Sequence, residues 1–231
     1  MNETELNNLK TALKNEDYQV RREAIGKLNC SIHNKEKTIQ KDRSYEKVIP
    51  ILTAALTDSD GYVGVLAAEA LVGIDRNFKQ ACAVTIVKTL IEIIATKQDE
   101  LVDEEQKDDI DVGDLTVGES AGYTLFDIAG LASSVAPEII PLFANSDPQY
   151  RKAVCCALSS MGYGNGTAFT QALADKNKLV RLGVLDVISV LIEYEDLYDE
   201  GMQWVVPALE KATQDENKQV RSTASRLLKS I

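Results

Sequence analysis

Asn177-Lys178-Leu179-Val180-Arg181-Leu182-Gly183-Val184 and Asn217-Lys218-Gln219-Val220-Arg221-Ser222-Thr223-Ala224 are two copies of one phrase, and its reading decides the fold. Four further copies are anchored at Val20, Val63, Val117 and Tyr150. Three residues before the six anchors stand Asp17, Asp60, Asp114, Asp147, Asn177 and Asn217. Seven before them stand Leu13, Leu56, Ile110, Phe143, Leu173 and Thr213. Four after come Ala24, Ala67, Ala121, Val154, Val184 and Ala224, and eight after come Leu28, Leu71, Leu125, Leu158, Ile188 and Leu228. Apolar residues at the anchor and at these two later offsets fall on one helical stripe. The acid or amide ahead of each anchor can accept from backbone N–H groups that a helix start leaves without partners. Each phrase therefore predicts a turn followed by the second helix of a helical hairpin. A single hairpin cannot bury its stripe alone, so repetition predicts a stacked array.

Three of the preceding first helices carry a proline thirteen residues before the anchor: Pro50, Pro137 and Pro207, each with a Val two residues earlier. Proline there either bends the first helix or begins it. The combination of a proline-bearing first helix, an Asp/Asn turn, Val-Arg and a small residue resembles HEAT repeats over almost the whole chain. That resemblance implies an all-α fold, a right-handed α–α superhelix of about six hairpins forming a single domain over residues 1–231. The repeats fall at about 1–31, 44–76, 77–132, 133–162, 163–194 and 198–231. Arg21, Arg151, Arg181 and Arg221 match the family's arginine, which commonly ties to turn carboxylates of neighbouring repeats, whereas Gly64 and Gly118 depart from it.

Gly and Pro together number 18, too few for a sandwich of tight turns. The net charge of −11 is uneven: residues 98–120 hold ten acids and one lysine, supplying −9. Such a field repels phosphate backbones and attracts basic partners, so nucleic-acid binding is not expected. Cys30, Cys82, Cys155 and Cys156 lack zinc or disulfide-framework spacing and read as packed thiols of a reducing compartment. The start MNETELNNLK has neither the basic region nor the apolar run of a signal peptide, and no apolar stretch approaches a membrane span. A cytoplasmic protein without a membrane partner is the expectation.

The spacing of the phrases breaks in two places. Residues 98–114 form an acidic insertion in the third repeat, in which Asp103, Glu104, Glu105, Asp108, Asp109 and Asp111 are candidate contacts to a basic protein. A calcium loop is an alternative for Asp109, Asp111 and Asp114, but Gly113 sits one place early and no Glu stands at the closing position. The second break, Ile192–Trp204, interleaves acids with Tyr194 and Tyr198, a mixture suited to an interface. Trp204 reads instead as first-helix packing. The HEAT resemblance implies that second helices line a concave surface, where Glu69, Glu119, Tyr123, Asp127 and Asp186 would make the middle acidic.

Catalytic motifs are absent. Gly162-x-Gly164-x-Gly166 follows a helix rather than a strand and reads as a helix stop, not a phosphate loop. His33 is the only histidine, and it stands in the polar stretch 31–45 with no carboxylate or Cys motif beside it. The expectation is a non-enzymatic scaffold without cofactor or metal, binding a basic protein, for instance as an inhibitor or immunity protein of a basic enzyme. Two alternatives come from the resemblance: a phycobiliprotein-lyase-like protein that attaches a chromophore, and a DNA glycosylase of alkylated bases, which the acidic charge opposes.

Overall fold

The five Asp/Asn turns among the described residues are each built by two side chains rather than one. In the computed structural model, which describes residues 1–34, 43–74, 80–102, 115–194 and 200–231, a residue five before the anchor accepts from the backbone N–H two residues on. Asn15, Asp58, Asn145, Asp175 and Asp215 do this at 2.7–2.9 Å. The acceptors of the next bond are the expected caps. Asp17, Asp147, Asn177 and Asn217 take the N–H two residues on at 2.9–3.0 Å, and Asp60 takes that of Val63 at 2.9 Å. Two successive local bonds reverse the chain and start the second helix.

Twelve α-helices follow from these turns among the described residues: α1 Glu3–Ala12, α2 Tyr18–Asn34, α3 Ile49–Ala55, α4 Gly61–Ile74, α5 Gln80–Thr96, α6 Val117–Ala132, α7 Ala136–Ile139, α8 Pro148–Ser160, α9 Gly166–Ala172, α10 Lys178–Tyr194, α11 Val205–Ala212 and α12 Lys218–Leu228. Helix α2 runs on through His33 and Asn34, three residues past the start of the stretch read as a connection. Short 3-10 turns lead into several first helices, among them Arg43–Val48 and Ser133–Val135. The only extended pairing among the described residues is an antiparallel bridge between Leu101 and Thr116.

The fold is an all-α helical repeat, and it divides into two compact units, Met1–Ile128 and Ala129–Ile231. In the first unit α2 packs on α4, with α1 and α3 as their hairpin partners and α5 against α4. In the second unit α8, α10 and α12 form a row, with α11 against α12 and α9 against α10. The cores are the stripes read from the sequence: Val63, Ala67 and Leu71, then Val117, Ala121 and Leu125, then Val180, Val184 and Ile188 are all buried. The first anchor differs. Val20 is 37% exposed and lines an open groove of about 430 Å³ with Leu9, Leu28 and Tyr45.

The prolines begin helices rather than bend them. Pro50 and Pro137 sit in the first two positions of α3 and α7, and Pro207 sits in the first turn of α11, where a missing N–H costs nothing. Gly162 ends α8 in the left-handed region at φ +69°, donating its N–H to the Ser159 carbonyl at 3.0 Å.

Candidate protein-binding surface

The repeat arginines come first, because their charge is spent inside the fold. Arg21 donates Nη1 to the carbonyls of Asn15 and Glu16 at 2.8 and 2.9 Å, six and five residues earlier. Arg151, Arg181 and Arg221 make the same pair of bonds in their own turns at 2.7–3.3 Å. Two of them also reach the following turn. Arg21 holds both carboxylate oxygens of Asp58, and Arg181 holds both of Asp215. The bond to Asp58 raises the Arg21 pKa above its ordinary value, so this guanidinium stays charged at any accessible pH. Arg21 and Arg181 weld one repeat to the next, while Arg151 and Arg221 brace their own turns.

Where glycine replaces the arginine, the helix has no room for it. A Cβ on Gly64 would lie 2.9 Å from the Leu56 carbonyl oxygen, and one on Gly118 would lie 2.8 Å from the Gln98 Cα. The departures from the repeat are therefore close helix approaches.

Arg22, the residue after Arg21, holds the root of the acidic insertion. It binds both oxygens of Asp60 at 2.9 and 2.7 Å, donates to the Val102 carbonyl, and stacks over the rings of Tyr18 and Tyr62. Val102 N donates to the Leu115 carbonyl at 3.0 Å and Val117 N to the Glu100 carbonyl at 2.7 Å. The two ends of the insertion are thus closed on each other and fixed to the first two repeats. Asp103, Glu104, Glu105, Asp108, Asp109 and Asp111 lie outside the described residues, as do Tyr198 and the side chain of Tyr194.

The other expected site residues divide by their work. Glu69 is half-buried, and its two oxygens accept from Asn29 Nδ2 on α2 and Thr124 Oγ1 on α6 at 3.2 and 3.3 Å, linking three second helices. Glu119 closes a capping box with Thr116, accepting from its N–H at 2.9 Å while Thr116 Oγ1 accepts from Glu119 N at 3.1 Å. Asp114, the cap that the repeat phrase expects, lies outside the described residues. Tyr123 and Asp127 are exposed on the same face of α6, one and two turns beyond Glu119. Phe126 shares that face and is 70% exposed. The four-residue step from Glu119 through Tyr123 to Asp127 passes over it, although a three-residue step from Tyr123 reaches it.

Asp186 belongs to the second unit, on the exposed side of α10. Desolvation raises its pKa above the ordinary carboxylate value, against the opposing pull of Arg151 on α8 and Arg226 on α12. Burial, with the charge of Asp186 adding to it, pushes the Cys155 thiol up to about 12. Burial likewise raises Cys156, with Lys152 opposing it. Trp204 is a packing residue, its ring centroid 5.6 Å from that of Phe169 and its edge against Gly166. Among the described residues no His, Cys, Asp and Glu cluster has the geometry to hold a metal ion. No single helix among them is long and apolar enough to cross a membrane.

No protein-family model and no curated protein matches the chain. Solved structures that resemble it include an engineered protein at 18% identity, covering 99% of this chain and 96% of that one with a TM-score of 0.42. A second engineered protein, at 16% identity, covers 98% of this chain and 67% of that one with a TM-score of 0.29. The archaeal HEAT-like repeats protein of Thermococcus onnurineus NA1 stands at 15% identity, with coverage of 96% and 84% and a TM-score of 0.40.

Proposed function

We propose that the chain is a HEAT-like, non-enzymatic scaffold that recognises a basic protein through acidic surfaces, acting as an inhibitor or immunity protein of a basic enzyme. The observation that carries this reading is the segregation of charge. Residues 98–120 supply −9 of the net −11, while the repeat arginines that could offset them are held in turns and in carboxylate forks. A concentrated field of one sign raises the encounter rate with an oppositely charged partner and suppresses others. The root of the insertion adds to this, since residues 100–102 and 115–117 are tied to each other and to Arg22 of the first repeat.

The test is affinity capture with mass spectrometry, followed by titration of the captured protein at several salt concentrations. Replacing Asp103, Glu104, Glu105, Asp108, Asp109 and Asp111 with Asn or Gln should weaken binding at least tenfold and flatten its salt dependence. A captured partner that is acidic, or an affinity that does not change with the replacement, would remove the reading.

A further inference from the structure

We propose that the exposed face of α6 is a docking surface for a partner segment in which an apolar side chain is bracketed by Lys or Arg. Tyr123 is 66% exposed and Phe126 is 70% exposed, three residues apart on one helix face. Single exposed aromatics need no explanation, but two large ones side by side form a patch. Beside them Gly122 has nothing within 4 Å of where a Cβ would stand. Gly26 and Gly130 are equally open, whereas Gly64, Gly118, Gly166 and Gly183 have a neighbour filling that place. With no side chain, Gly122 leaves a floor beside the aromatics on which another backbone can lie close.

The charge around the patch selects the occupant. Neither α6 nor its neighbour α4 contains a Lys, Arg or His, and Glu119 and Asp127 flank the aromatics eight residues apart, or about 12 Å along the helix. An apolar anchor between two basic residues at two-turn spacing complements this arrangement, and an acidic one is repelled. The inference rests on the reading of the chain as a binder of basic proteins, and it adds the surface and the segment type.

Two labelled peptides of equal charge test it by fluorescence anisotropy against the full chain. One is an amphipathic helix of Lys, Ala and Leu, and the other has Ser in place of every Leu. The leucine peptide should bind at least tenfold tighter. Tyr123→Ser/Phe126→Ser should remove that advantage and leave the serine peptide's affinity and the Tm unchanged. Gly122→Gln, which fills the floor, should do the same by a second route. If these variants leave both affinities intact while neutralising the insertion abolishes binding, the docking surface falls and the scaffold reading stands. If neither peptide binds the wild-type chain, both fall. A lower Tm in the double variant would mean that the chain itself covers the aromatics, and a lower sedimentation coefficient that a second copy does. Either result overturns the proposal, as would variant-sensitive binding to phosphatidylcholine vesicles.

Discussion

The guanidinium of Arg21 holds both carboxylate oxygens of Asp58, at 2.8 and 3.0 Å, from 37 residues away in the chain, and only 8% and 14% of the two side chains is exposed. Arg181 and Asp215 repeat the geometry in the second unit. Removing one member of such a pair strands a charge in a partly buried site, so Arg21→Ala or Arg181→Ala should cost about 3 kcal/mol. Arg151 is hydrogen-bonded only within its own turn among the described residues, and Arg151→Ala should cost about 1 kcal/mol. Urea denaturation of the three variants checks the ranking, and equal losses would show that the inter-repeat fork adds nothing to the local bonds.

Glycines give a second prediction with opposite signs. A Cβ on Gly166 would lie 2.3 Å from the Trp204 ring, and one on Gly183 would lie 2.3 Å from the Phe143 ring. Gly166→Ala and Gly183→Ala should therefore destabilise by about 1–3 kcal/mol, since each ring must leave its place. Gly122→Ala meets open space in a helix and should stabilise by about 0.5–1 kcal/mol. Thermal melting of the three variants measures both the signs and the sizes.

The repeat phrase made the second helices and their buried stripes legible, because helical spacing and local caps are written in neighbouring residues. Val184 and Ile188 are buried as their offsets require. The five-before residue was equally visible, as Asn15, Asp58, Asn145, Asp175 and Asp215, yet it carries no apolar periodicity and escapes a search for stripes. The role of Arg22 could not be read, because its partners lie 38 and 80 residues away. The same holds for Glu69, which looks like a free acid in the sequence and meets Asn29 and Thr124 only when three helices come together. Phe126 shows a third case: the repeat phrase assigns it no place, and only the packed fold shows it exposed.

The row of helices in the second unit predicts a pH effect. The Asp186 carboxyl has a raised pKa in the fold, so the folded state binds a proton more readily than the unfolded chain does. Stability linked to this group is full below the unfolded carboxylate range, near pH 4, and is lost as pH rises through the folded pKa. Asp186→Asn should accordingly raise the Tm at pH 7, with the gain shrinking to nothing as the pH falls below about 4. An increment that grows toward acid would contradict the sign.

Cys155 offers a chemical readout in the same place. A thiol with its pKa pushed up to about 12 is thiolate in about one molecule in ten thousand at pH 8. Iodoacetamide at that pH should leave Cys155 unlabelled in the folded protein, while Cys30, exposed on α2, reacts. Peptide-resolved mass spectrometry distinguishes them, and unfolding in urea should restore Cys155 to the rate of the others.

Arg22 joins two functions that a substitution can separate. Its fork on Asp60 ties the first two repeats, while its bond to the Val102 carbonyl reaches the stem of the acidic insertion. Lysine keeps the charge but presents a single ammonium, which cannot serve the carboxylate fork and the carbonyl together. With Arg22→Lys the stem bonds, Val102 N to the Leu115 carbonyl and Val117 N to the Glu100 carbonyl, should open locally. Native-state hydrogen exchange should then speed up at least tenfold at these amides, while amides in the middle of α4 change only as much as the global stability does. Uniform acceleration throughout the first unit would show that Arg22 serves stability alone. Acceleration confined to the stem would make Arg22 a positioning residue for the stem, separable from its part in the stability of the first unit.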